Sequence, residues 1–253
     1  MIVVKSPTEL STMRKAGLIL AGVFEEVGRL IRPGVSGVEL DRAAERAILR
    51  AGAGPAFKGY RGFPASVCLS VNEVVVHGIP GPARLKAGDI AGIDIGVEYQ
   101  GFFADSAHTY AVDEIGPEVR RLLVATERAL WAGIEQCRPG RRLGDVSHAI
   151  QQVAEGAGYS VVRELVGHGI GREMHEKPEI PNFGRPGHGV ILQEGMVLAL
   201  EPMVNMGSPI VGVAEDQWTV YTADRKPSAH FEHTVAVTAK GPWVLTDPED
   251  REA

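Results

Sequence analysis

Gly88-Asp89-Ile90-Ala91-Gly92-Ile93-Asp94-Ile95-Gly96-Val97-Glu98-Tyr99-Gln100-Gly101-Phe102-Phe103-Ala104-Asp105-Ser106-Ala107-His108-Thr109-Tyr110 is the stretch whose reading decides the fold. Its two halves are rich in Ile, Val, Phe and Tyr and flank Glu98-Tyr99-Gln100-Gly101, which predicts two β-strands joined by a hairpin turn. Each strand carries one Asp where an apolar residue would be expected. A two-residue tip at Tyr99-Gln100 sets Asp94 directly across from Asp105, with Cβ atoms roughly 4.5–5.5 Å apart on one face. Two like charges that close are unfavourable, so either one carboxyl is protonated or a cation sits between them. The other reading of the same residues is a bulged hairpin that turns one Asp to solvent.

With 253 residues and 44% hydrophobic composition, the chain can bury a proper core, and nothing in it suggests disorder. A formal charge of −6 offers no field for nucleic acid or an anionic membrane. The Met1-Ile2-Val3-Val4-Lys5-Ser6-Pro7 start has no basic region followed by a long apolar run. No stretch approaches the roughly 20 apolar residues of a membrane span. The expectation is a cytoplasmic protein in which Cys68 and Cys137 are reduced thiols.

Upstream of the hairpin, Ser6-Pro7-Thr8-Glu9 reads as a capping box that opens a helix whose buried face carries Leu10, Met13, Gly17, Leu20, Phe24 and Val27. Arg32-Pro33-Gly34 stops it. Ser36-Gly37-Val38-Glu39 starts a second amphipathic helix that ends at Gly52-Ala53-Gly54-Pro55, and residues 65–76 read as one strand. The pattern then restarts at Gly116-Pro117-Glu118, with helices ending at Cys137-Arg138-Pro139-Gly140 and at Gly156-Ala157-Gly158. Arg32-Pro33-Gly34 is echoed by Arg138-Pro139-Gly140, and His77-Gly78-Ile79 by His168-Gly169-Ile170. The nine residues ending at Asp94 are echoed by the nine ending at Glu201. An internal duplication of helix, helix, strand and hairpin explains this order. It predicts one compact domain over residues 1–253, with halves of about 6–112 and 116–240 related by a pseudo-two-fold axis.

The second half supplies apolar runs at Met196–Val204 and Phe231–Val237, which predict a second hairpin carrying Glu201 and Glu232 towards the two aspartates. Four carboxylates on one buried face would be badly destabilising alone, since each costs several kcal/mol to bury. Two divalent cations solve that problem, and an added imidazole suits Zn, Fe, Co, Ni or Mn. His168, between Gly167 and Gly169, is the candidate imidazole, because flanking glycines let the backbone approach a site closely. Two ions about 3.5–4 Å apart activate water for hydrolysis. His77 and His175, in Gly- and Pro-flanked loops, read as groups around the ions or on the substrate. His108, His148, His188, His230 and His233 have no such claim and read as surface or supporting residues. No Gly-x-Ser-x-Gly elbow, phosphate loop, zinc-knuckle spacing or dinucleotide fingerprint is present.

Ser66-Val67-Cys68-Leu69-Ser70-Val71-Asn72-Glu73-Val74-Val75-Val76-His77-Gly78-Ile79-Pro80, Gly167-His168-Gly169-Ile170-Gly171, Met174-His175-Glu176-Lys177-Pro178, Glu194-Gly195-Met196 and Glu201-Pro202 together resemble methionine aminopeptidase, a metallopeptidase family, over about Ser6 to Thr238. The resemblance is to the short bacterial type. It implies the α/β (α+β) pita-bread fold, an antiparallel sheet covered by helices, in agreement with the repeat. It implies Asp94, Asp105, His168, Glu201 and Glu232 as ligands of two divalent ions, with Asp105 and Glu232 bridging. His77 would contact the scissile amide, His175 the carbonyl oxygen, and Glu201 would handle the proton of the attacking water. Tyr60, Phe63, Cys68 and Trp218 would line an apolar pocket suited to a thioether. The implied task is hydrolytic removal of the initiator methionine from nascent chains near the ribosome, by a monomer. A related Xaa-Pro peptidase and a non-catalytic pita-bread protein stand as alternatives.

Overall fold

A computed structural model describes residues 2–250. Two helices followed by antiparallel strands occur twice along the chain: α1 (Pro7–Gly28) and α2 (Gly37–Arg50), then α3 (Pro117–Ile134) and α4 (Leu143–Gly156). Ser6 caps α1 and Ser36 caps α2, each in a reciprocal box with the Glu three residues on. Such caps contribute about 1 kcal/mol apiece. Helix α1 ends at Gly28, before the Arg32-Pro33-Gly34 stop.

In the first half, the strand Ile90–Tyr99 pairs antiparallel with Val67–Val71, Gly54–Pro55 and Phe102–Ala111. The expected hairpin forms, but its register differs from the sequence reading by two residues. Tyr99 faces Phe102, so the tip is Gln100-Gly101, Asp94 lies opposite Ala107, and Asp105 lies opposite Gly96. The cause is turn chemistry: both tip residues take positive φ, 52° at Gln100 and 78° at Gly101. A two-residue turn of matching twist needs that, and Gly supplies it without strain. A shift of two preserves side-chain parity, so both aspartates still share a face.

The single strand expected over residues 65–76 is two. Val67–Val71 joins the sheet above, whereas Val74–Val76 pairs with Val220–Thr222. Asn72, at φ 54°, turns the chain between them and its side chain receives the Ile90 N–H at 3.0 Å. The apolar run at Met196–Val204 is likewise divided. Val197–Leu200 pairs with His233–Thr238, whereas Met203–Asn205 pairs with Ser228–His230 in another sheet. Pro202 has no N–H to continue a ladder, so the chain leaves the first sheet at Glu201 and frees that side chain.

Helices α1 and α2 cover the first sheet through Leu20, Val27, Leu40 and Ile48 packed on Ile93 and Ile95. Helices α3 and α4 cover the second through Leu122, Leu130, Val146 and Ile150 packed on Leu198, Leu200 and Val235. Each such buried side chain contributes roughly 1.5–3 kcal/mol. Between the halves, Ala107 and Glu232 exchange backbone hydrogen bonds of 2.9 and 3.3 Å. Thr234 Oγ1 donates to the Asp105 carbonyl at 2.8 Å and accepts the Asp105 N–H at 3.0 Å. This seam presents both halves' acidic residues to one cleft.

Candidate metal centre

The cleft at the seam is lined by Phe57, Tyr60, Arg61, Phe63, Cys68, His77, Asp94, Asp105, His168, His175, Glu201, Trp218 and Glu232, and holds about 140 Å³. Every site residue named from the sequence therefore lies on its wall; Phe57 and Arg61 are additions. Asp105, His168 and Glu232 come closest together, each offering an atom within 4.8 Å of the others. Glu201 Oε1 lies 3.6 Å from His168 Nε2, and Asp105 Oδ2 lies 4.0 Å from the same nitrogen. Asp94 joins from two residues along the hairpin, on the face it shares with Asp105.

The orientation of His168 follows from its backbone. A Cβ on Gly167 would sit 2.5 Å from the Ala199 carbonyl oxygen, and one on Gly169 would sit 2.3 Å from that of Lys177. Both flanking positions must be glycine because strands on either side press against them, which fixes the segment that carries the imidazole. His168 Nδ1 lies 2.9 Å from the Gly169 carbonyl. A carbonyl only accepts, so Nδ1 holds the proton and Nε2 turns a bare lone pair to the carboxylates. Lone pair and carboxylate oxygens face one another and are joined either by a proton on a carboxyl or by a cation.

The electrostatics point the same way. Burial is the chief force pushing the Asp94 carboxyl up to about 7, and a hydrogen bond from Asp105 holds it from rising further. Burial pushes Asp105, Glu201 and Glu232 well above the usual carboxylate range, and the neighbouring carboxylates push each higher. Asp94 Oδ1 and Glu232 Oε1 are buried without a hydrogen-bond partner. Unpaired buried carboxylate oxygens are costly, and a divalent ion relieves both the desolvation and the mutual repulsion. Four carboxylates and one imidazole suit Mn, Fe, Co, Ni or Zn.

Around this cluster lie neutral imidazoles. Burial draws His77 and His168 below the ordinary histidine value and His175 down to about 3. His175 stacks on Tyr60, with ring centres 5.3 Å apart, and its Nδ1 lies 2.9 Å from the Tyr60 hydroxyl. That bond leaves Nε2 as the nitrogen available to a ligand. Phe63 and Trp218 meet edge to face at 5.1 Å and, with Cys68, Ala65 and Ile79, form an apolar patch beside the acidic groups.

Of the two places left open for His230, surface or support, the surface is excluded: it is 4% exposed, with Nε2 3.9 Å from Glu201 Oε2. The signal was present, since His230 stands two residues before Glu232 and alternation in extended chain puts both on one side. The other four histidines without a site claim stay off the cleft wall.

A model of metallopeptidase family M24 matches residues 11–239. The chain is 52% identical over 246 residues to methionine aminopeptidase 1 of Bacillus subtilis, covering 97% of this chain and 99% of that protein. It superposes on the crystal structure of methionine aminopeptidase from Rickettsia prowazekii with a TM-score of 0.96 and 42% identity, over 98% of this chain and 100% of that one. The prolidase from Pyrococcus furiosus shares the fold, with a TM-score of 0.80 and 23% identity over 98% of this chain and 66% of that one.

Proposed function

The chain belongs to the methionine aminopeptidases of metallopeptidase family M24, and from that membership we propose that it removes the initiator methionine from nascent polypeptides when the second residue is small, using two divalent ions. The observation that carries the reading is the convergence of Asp94, Asp105, His168, Glu201 and Glu232 on one cleft beside an apolar patch. Asp105 and Glu232, whose carboxylates group with His168, would serve both ions when these are bound. Asp94 is assigned to one ion, and His168 with Glu201 to the other. When bound, such ions lower the pKa of water and polarise a carbonyl.

The chain's own groups supply the rest. Phe63, Cys68, Trp218 and Tyr60 receive the methionine side chain, since a polarizable thioether packs well on aromatic and sulfur surface. Glu201 accepts the proton of the attacking water. His175, held by Tyr60, donates from Nε2 to the carbonyl oxygen as charge develops there. His77 steadies the leaving nitrogen. We assign the protein to the cytoplasm, as a monomer that meets chains leaving the ribosome. No described helix is long and apolar enough to cross a membrane.

A peptide panel tests the specificity. With Mn or Co supplied, methionine should be released from Met-Ala-Ser and not from Met-Ile-Ser. Equal cleavage of Xaa-Pro peptides, or no release from Met-Ala-Ser with any of the five metals, would overturn the reading.

A further inference from the structure

Glu201 is bracketed by two imidazoles, one on each carboxylate oxygen. His168 Nε2 lies 3.6 Å from Oε1, and His230 Nε2 lies 3.9 Å from Oε2. His168 already has its place in the ligand set; His230 has none. Its Nε2 is buried without a hydrogen-bond partner. The residue carrying it is rigidly set. Its N–H donates to Thr109 Oγ1 at 3.0 Å, and Thr109 Oγ1 donates back to its carbonyl at 2.7 Å. Its strand also pairs with the one that follows Glu201, with Met203 opposite His230.

The two imidazoles present different faces to the same carboxylate. His168 spends its Nδ1 proton on the Gly169 carbonyl, so a lone pair faces Oε1. A second lone pair against Oε2 would repel, so the favourable tautomer of His230 carries its proton on Nε2. We propose that His230 donates Nε2–H to Glu201 Oε2 and is a positioning residue that reserves Oε1 for the ion shared with His168. A small rotation of the Glu201 carboxylate closes the contact from 3.9 Å to the roughly 2.7–2.9 Å of a charge-assisted bond. Glu201 then binds through one defined oxygen and keeps its geometry while it accepts a proton.

This inference rests on the reading of His168 and Glu201 as ligands, and one spectrum separates the two. Histidine-labelled native protein, freed of metal and titrated with Zn, is followed by 15N–1H correlation of the imidazole nitrogens. The expected result is that His168 Nε2 moves to a metal-bound position while His230 keeps its Nε2 proton. If His168 does not respond, the ligand reading falls and the proposal with it. If His168 responds and His230 loses its Nε2 proton to coordination, His230 is itself a ligand and the positioning role is wrong. Variants give a second readout in Mn affinity, measured calorimetrically. H230Q, which retains a donor, should stay within about threefold of the native chain, whereas H230L should bind roughly 10–100-fold more weakly. Native affinity in H230L, or equal losses in both variants, would overturn the proposal.

Discussion

Asp94 and Asp105 stand diagonally across one hairpin, Asp94 opposite Ala107 and Asp105 opposite Gly96, with both carboxylates on the same face. Diagonal partners are roughly 7–8 Å apart at Cα, against about 4.5–5.5 Å for direct ones. The offset gives the two groups unequal places: Asp105 groups with His168 and Glu232, and Asp94 hydrogen-bonds to Asp105.

That inequality predicts unequal variants. Asp105→Asn should lose both ions and at least ~100-fold in activity, whereas Asp94→Asn should retain close to one ion per chain. Elemental analysis of the purified variants after dialysis against Mn checks this. Two ions retained in Asp105→Asn would contradict the bridging assignment.

The seam that delivers Asp105 hangs on Thr234. Thr234→Val removes one hydroxyl that serves both the Asp105 N–H and its carbonyl. Two buried backbone groups are left unpaired, at about 1–3 kcal/mol each. Urea unfolding of the metal-free protein should show a loss of ~2–6 kcal/mol without a change in slope.

Tyr60 orients His175 by a hydrogen bond of 2.9 Å while stacking on its ring. Tyr60→Phe keeps the stacking and removes the bond. A net hydrogen bond of about 0.5–1.5 kcal/mol corresponds to a fall of roughly 2–12-fold, expected in kcat with KM little changed. Steady-state kinetics on Met-Ala-Ser decide it.

Cys137, which is not among the residues lining the cleft, makes a pH prediction. It is fully buried, its thiol lies 3.7 Å from the Gly133 carbonyl, and burial pushes it up to about 12. The folded state therefore holds this proton more tightly than the unfolded chain, whose thiol ionises near 9. Its contribution to stability is whole below pH 9 and is lost as pH rises towards 12, by up to roughly 4 kcal/mol at about 1.4 kcal/mol per pH unit. Denaturation midpoints between pH 8 and 11 should fall in the native chain and fall less in Cys137→Ala.

The hairpin, the caps and the repeat of helix pairs were legible in the sequence because period, punctuation and order all agree there. What was not legible depended on single backbone torsions or on partners distant in sequence. Gln100 and Asn72 take positive φ; Gln gives no sign of it, and Asn a weaker one than Gly. The register and the division of residues 65–76 followed from those two residues. The contact of His230 with Glu201 was not legible, because Glu201 lies in a connection between two strands 29 residues earlier in the chain. The convergence of four misplaced acids and one glycine-flanked histidine was legible from the repeat; the contact that achieves it, between Ala107 and Glu232, was not, because it joins residues distant in sequence.

The most direct test of the central claim is to titrate metal-free protein with Mn under anaerobic conditions while counting bound ions and measuring methionine release from Met-Ala-Ser. No release is expected in chelator, with recovery on addition of metal and saturation at two ions per chain. Bound ligand of this kind at 100 times its Kd stabilises by about 2.7 kcal/mol, so the loaded protein should also melt roughly 5–10 °C higher. Full release of methionine in the presence of chelator, with no metal bound, would contradict the central claim.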